Sequence, residues 1–189
     1  MQDVIQKAKE YALKEIELYH APKLEHFELS NKMGQELAIK LGANKDIVML
    51  GTILMDLKLG ECLKENKIPE HVQRSAEAAG KFLKQFNLSE DIYNKIINCI
   101  EAHHGNKEYI CKEAEISANA DCYRFLHPRG IFGYAVLLGN RDQDVNNCLD
   151  QLEKKMEEKH KILSLDICKE ELEKYYLEFK EIINKARIS

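Results

Sequence analysis

The sequence predicts an all-α fold, a single-domain irregular bundle of helices. Three observations predict it. Apolar residues recur at helical spacing along nearly the whole chain. Only 3 Pro and 9 Gly interrupt 189 residues. No segment alternates apolar and polar residues in the manner of a half-buried strand. Hydrophobic residues make up 44% and charged residues 32%, the balance of a chain that folds.

The elements follow in order. Val4, Ile5, Ala8, Tyr11, Ala12, Ile16 and Tyr19 form one helical stripe, and Pro22 interrupts it. A second helix runs from Lys23 to Leu41 and stops at Gly42, a residue suited to the left-handed position after a helix. Asn44 caps a third helix, Lys45 to about Lys58, which is apolar nearly all round and therefore central. Residues 59–68 read as a connection, and Pro69 opens a fourth helix that ends near Phe86. Asn87 with Glu90 has the spacing of a capping box for a fifth helix, which ends near His104-Gly105. After a loop over 105–111, a sixth helix covers Lys112 to Leu126 and stops at His127-Pro128-Arg129-Gly130. Ile131 to Leu138 begins another, ended near Gly139. Asp142 to Ala186 reads as two charged amphipathic helices with a break near Leu163-Ser164. The expected organisation is an N-terminal helix (1–20), a helical core (21–140) and C-terminal helices packed on that core (141–189). A homodimer through the C-terminal helices is left open.

Composition narrows the function classes. The net charge of −4 and pI near 6.0 give no general indication of nucleic-acid binding, although a local basic cleft is compatible with that total. The N-terminus lacks the apolar core of a signal peptide, and the longest apolar stretch, Ile47 to Leu57, is too short to span a bilayer. The expectation is a cytoplasmic protein without membrane partners. None of the six cysteines forms a CxxC pair, so they read as free thiols.

A few ionisable residues stand where apolar ones belong. Asp56 lies within Gly51-Thr-Ile-Leu-Met-Asp-Leu57, and Asp121 within Ile116-Ser-Ala-Asn-Ala-Asp-Cys-Tyr123. A buried carboxylate is costly unless it is paired or binds a cation. His103 and His104 are adjacent at the end of an apolar helix, while His26 and His71 each open a helix. Taken singly, each has an ordinary structural explanation. Together they are a set of imidazoles and carboxylates able to converge from different helices on a divalent ion. Arg74 lies one turn after His71, Arg124 follows Asp121 and Arg129 sits in the next loop, and all three are candidates to bind phosphate oxygens.

In order and spacing these segments resemble the HD-domain superfamily of metal-dependent phosphohydrolases. His26 corresponds to the family's first His, and Leu50 to Leu57 to the helix bearing its His-Asp pair. His71 with Ser75-Ala-Glu-Ala-Ala79, Ile100-Glu-Ala-His-His-Gly105, and Asn119-Ala-Asp-Cys-Tyr-Arg124 resemble the segments with the added His, the His pair and the final Asp. The match covers residues 20–140. It departs at Met55, which stands where the family has the His of its pair. It also departs at Lys58 and Leu59, where many members have Gly and a catalytic Lys.

The resemblance implies a divalent ion (Mn, Fe, Zn, Co, Ni or Mg) held by His26, Asp56, His71, His103, His104 and Asp121. Asp56, Lys58 and Arg124 would be the catalytic groups. The substrate would be a small phosphorylated molecule or a nucleotide. Three other readings accompany this one: a degenerate module that binds a nucleotide or metal without turnover, a di-iron oxidase, and a set of residues that only satisfy one another.

Overall fold

A computed structural model describes residues 1–141 and 144–187. Among the described residues ten α-helices follow one another: α1 Gln2–Tyr19, α2 Leu24–Leu41, α3 Lys45–Leu54, α4 Leu59–Lys64, α5 His71–Leu83, α6 Glu90–Glu101, α7 Lys112–Leu126, α8 Pro128–Gly139, α9 Val145–His160 and α10 Asp166–Ala186. One 3-10 turn, Ile68–Glu70, precedes α5. No strand occurs among the described residues. The chain is an all-helical bundle, as its apolar spacing requires. Asp142, where the ninth helix was expected to begin, lies outside the described residues.

Local chemistry sets most of the boundaries. Asn44 accepts hydrogen bonds from the backbone of Asp46 and Ile47 and starts α3. Gly42 ends α2 with φ 63°, a conformation that favours glycine. Three expectations are corrected. Helix α3 stops at Leu54 rather than Lys58, because Ser75 Oγ takes the Lys58 N–H at 3.0 Å and the chain tightens into turns. The connection over 59–68 contains the helix α4, and Pro69 sits in the 3-10 turn, so α5 begins only at His71. The cap of α6 is Ser89, whose Oγ accepts from Ile92 N; Asn87 lies upstream of it.

The apolar side chains form two clusters. One is built from α2, α7, α8, α9 and α10, around Leu37, Tyr123, Leu126, Met156 and Leu172. The other is built from α1, α3, α5 and α6, around Ala8, Leu50, Leu54, Leu83 and Ile100. Helix α3 is largely buried, as its composition predicts. The most buried element is α7, in which every residue from Ile116 to Leu126 is enclosed. Several of its polar residues find partners within the fold: Asn119 Oδ1 accepts from the backbone of Ser164 and Leu165, and Tyr123 Oη donates to Glu171. A buried helix this polar is explained by what it carries at the junction of the two clusters.

Candidate metal centre

Where the two clusters meet, a cavity of about 240 Å³ opens. Helix α5 presents His71 from its first residue, and the turns after α6 present His103 and His104. Their nitrogens all lie within 4.8 Å of one another. His71 Nδ1 is 2.7 Å from the Ile68 carbonyl, and His103 Nδ1 is 2.6 Å from the Ile100 carbonyl. A carbonyl only accepts, so each Nδ1 carries a proton. Both Nε2 atoms lie near the same carboxylate oxygen. Asp56 Oδ1 is 3.5 Å from His71 Nε2 and 3.6 Å from His103 Nε2, too far for hydrogen bonds. His103 is 1% exposed, and its Nε2 has no hydrogen-bond partner among the described residues. His104 completes the group, its Nε2 3.2 Å from His71 Nε2. Burial holds the pKa of His71 below the ordinary value and lowers that of His104 to about 4, so both rings are neutral near pH 7.

The other side of the cavity is differently arranged. Arg124 Nη1 donates to Asp56 Oδ2 and, at 2.8 Å, to Asp121 Oδ1. Lys159, on α9 and 1% exposed, donates from Nζ to Asp121 Oδ2 at 2.5 Å. Lys159 Nζ also lies 3.3 Å from His104 Nδ1. Burial alone would raise the pKa of both aspartates. Arg124 beside Asp56, and Lys159 with Arg124 beside Asp121, reverse that and hold both carboxylates ionised. The cavity wall carries Lys23, Arg124, Arg141, Lys155 and Lys159 against Asp56 and Asp121, so it is electropositive on a chain that is acidic overall.

The structure thus brings together His71, His103, His104, Asp56, Asp121 and Arg124. It leaves others apart. His26 lines the cavity, but its Nε2 lies 2.9 Å from the Gly130 carbonyl, and its ring packs edge-on against Phe125. Lys58 turns to Glu15 and Glu61 at 3.0 Å each and lines a separate open groove. Arg74 is tied to Glu65 and Glu70, and Arg129 lies on an outer groove beside Phe132. Met55 is buried and is not among the cavity's lining residues. Lys159 was missed by sequence reasoning. Its signal was its place on the apolar stripe Leu152, Met156, Lys159, Leu163 of a helix otherwise rich in charge.

Fold and site together define an all-helical domain built around a buried histidine–carboxylate pocket. Over 126 residues, 67% of this chain, the sequence is 33% identical to Ribonuclease Y of Finegoldia magna. Over 118 residues, 62% of the chain, it is 34% identical to Ribonuclease Y of Fervidobacterium nodosum. The chain spans about a fifth of the length of these relatives (20% and 19%). No family model and no solved structure matches it.

Proposed function

We propose that this chain is an HD-superfamily domain that hydrolyses a phosphate ester of a nucleotide or RNA with the help of one divalent ion. One observation carries this reading. His71 Nε2 and His103 Nε2 converge on Asp56 Oδ1 at 3.5 and 3.6 Å in a buried cavity, with His104 beside them. A buried carboxylate oxygen flanked by imidazole nitrogens is a donor set that a divalent cation satisfies. Imidazole nitrogen with carboxylate oxygen suits Mn, Fe, Co, Ni or Zn better than Mg. His71, His103 and His104 would hold the ion, with Asp56 Oδ1 beside them. Bound there, it would supply Lewis-acid polarisation of a phosphoryl oxygen and a water of lowered pKa.

The chain's own residues supply the rest. Lys155, Arg141 and Lys23 give the wall a positive potential that attracts a phosphorylated substrate. Arg124 retains an unpartnered buried Nε–H for a phosphoryl oxygen. Phe125, Tyr134 and Leu137 offer an apolar wall to the remainder of the substrate. The relatives' name supports a phosphodiester substrate.

The test is metal content per chain, on protein purified without chelators, followed by a phosphoester screen with the bound metal. Retained metal and activity in Asp56→Ala would sink the mechanism. A second reading, binding without turnover, is favoured by Met55 in the place of an expected His and by Lys58 turned away. It requires ligand-dependent stabilisation with no product, and Met55→His would then be the variant in which to look for restored activity.

A further inference from the structure

The Asp56–Asp121 pair is where an ion bound by both carboxylates would lie, and here it is already crossed by cations of the chain. Arg124 Nη1 touches both aspartates, and Lys159 Nζ takes the remaining oxygen of Asp121. The count closes: two carboxylates face one guanidinium and one ammonium. All four side chains are at least nine-tenths buried. A divalent ion entering between these aspartates would have to displace Arg124 and leave it, or Lys159, as an uncompensated buried charge. That costs far more than an exposed cation would. Among the described residues Arg124 pairs only with Asp56 and Asp121, and the alternative carboxylate of Lys159 is the half-exposed Glu158 at 3.9 Å, which does not line the cavity. The histidine side differs: its ring nitrogens lie within 4.8 Å of one another, and among the described residues the chain's own cations reach it only at His104 Nδ1, where Lys159 Nζ lies 3.3 Å away.

We infer that Arg124 and Lys159 are resident counter-ions that take the place of a metal between Asp56 and Asp121, so that any ion the pocket binds sits on the histidine side alone. This rests on the metal-centre reading above for the occupied half, and not for the excluded half. Arg124 and Lys159 are thereby positioning residues. Arg124 holds Asp56 by Oδ2 and leaves Oδ1 to the histidines, and Arg124 and Lys159 together keep Asp121 from acting as a ligand. Lys159 also reaches His104 Nδ1, so one side chain of α9 touches both halves of the site.

The experiment measures Mn(II) and Zn(II) stoichiometry by elemental mass spectrometry and isothermal titration, with helicity and melting temperature recorded for every variant. Wild type should bind one equivalent, His103→Ala should lose it, and Asp121→Asn should keep it within a few-fold in affinity. The double variant Arg124→Met/Lys159→Met exposes two uncompensated carboxylates. It should gain a second equivalent and a melting temperature that rises with Mn(II) and falls with chelator. Two equivalents in wild type would overturn the inference, as would one equivalent lost in folded Asp121→Asn and kept in His103→Ala. No ion in wild type, with one gained in the double variant, would support the inference while removing the histidine metal centre of the proposed function. A folded double variant that gains none would overturn it.

Discussion

At the scale of single residues, the site is governed by where protons and cations already are. His26 shows this outside the histidine group. Burial, and then the charge of Arg124, lower its pKa from 6.5 to about 4, while it donates Nε2–H to Gly130. Its folded-state pKa is below its unfolded one, so the unfolded chain binds the extra proton first. Its contribution to stability is complete above pH 6.5 and is lost as pH falls towards 4. The loss attributable to this residue is roughly 3 kcal/mol at about 1.4 kcal/mol per pKa unit. Urea melts between pH 7 and 4 should show a decline that His26→Gln flattens. An unchanged slope in that variant would assign the decline elsewhere. Asp56, Asp121, His71, His103 and His104 were legible in the sequence because polar residues in apolar helices need a reason. The roles of Lys58 and His26 were not legible, because side-chain direction is decided by partners distant in sequence: Glu15 for one, Gly130 for the other.

At the scale of elements, helix ends and close approaches decide more than apolar periodicity reveals. The two candidate caps of α6 separate cleanly by mutation. Ser89→Ala should cost about 1 kcal/mol, as loss of a capping hydroxyl does, and Asn87→Ala should be near neutral by thermal melting. The reverse order would restore Asn87 as the cap. The contact of α3 with α6 makes a second prediction. A methyl group placed on Gly51 would lie 2.5 Å from Cys99 Cβ and 3.0 Å from Ser117 Oγ. Gly51→Ala should therefore destabilise by about 1–3 kcal/mol through overpacking, and it should also loosen the helix that leads to Asp56. Helix positions were readable from spacing. The early end of α3 was not, because it depends on Ser75, on a helix that meets it only in the folded chain. The centrality of α7 was hidden by the polar residues interspersed among its apolar ones, since Asn119, Asp121 and Arg124 are buried there only because partners from other helices and loops satisfy them.

For the whole molecule, charge and occupancy are the quantities to watch. No described helix is long and apolar enough to cross a membrane. The overall balance of −4 conceals the positive pocket, so net charge pointed away from a phosphorylated ligand while the local field points towards one. If the histidines hold an ion, excess Mn(II) or Zn(II) at about 100 times its Kd should stabilise the fold by about 2.7 kcal/mol, and chelation should reverse it. A melting temperature indifferent to both treatments would contradict the metal centre.

The cavity lies on the seam between the two apolar clusters. Its histidines are carried by α5 and the end of α6 on one side, and Asp121, Arg124 and Lys159 by α7 and α9 on the other. Each half can pack its own oil, but the seam is stitched by charge. A phosphorylated substrate that bridges an ion on the histidine bank to Arg124 on the other therefore acts as a keystone: it carries load between halves that otherwise share mainly α2, α3 and α7. Loading the pocket should stiffen the molecule far from the pocket itself, slowing amide exchange in α1 and α10 alike, although neither helix reaches the site.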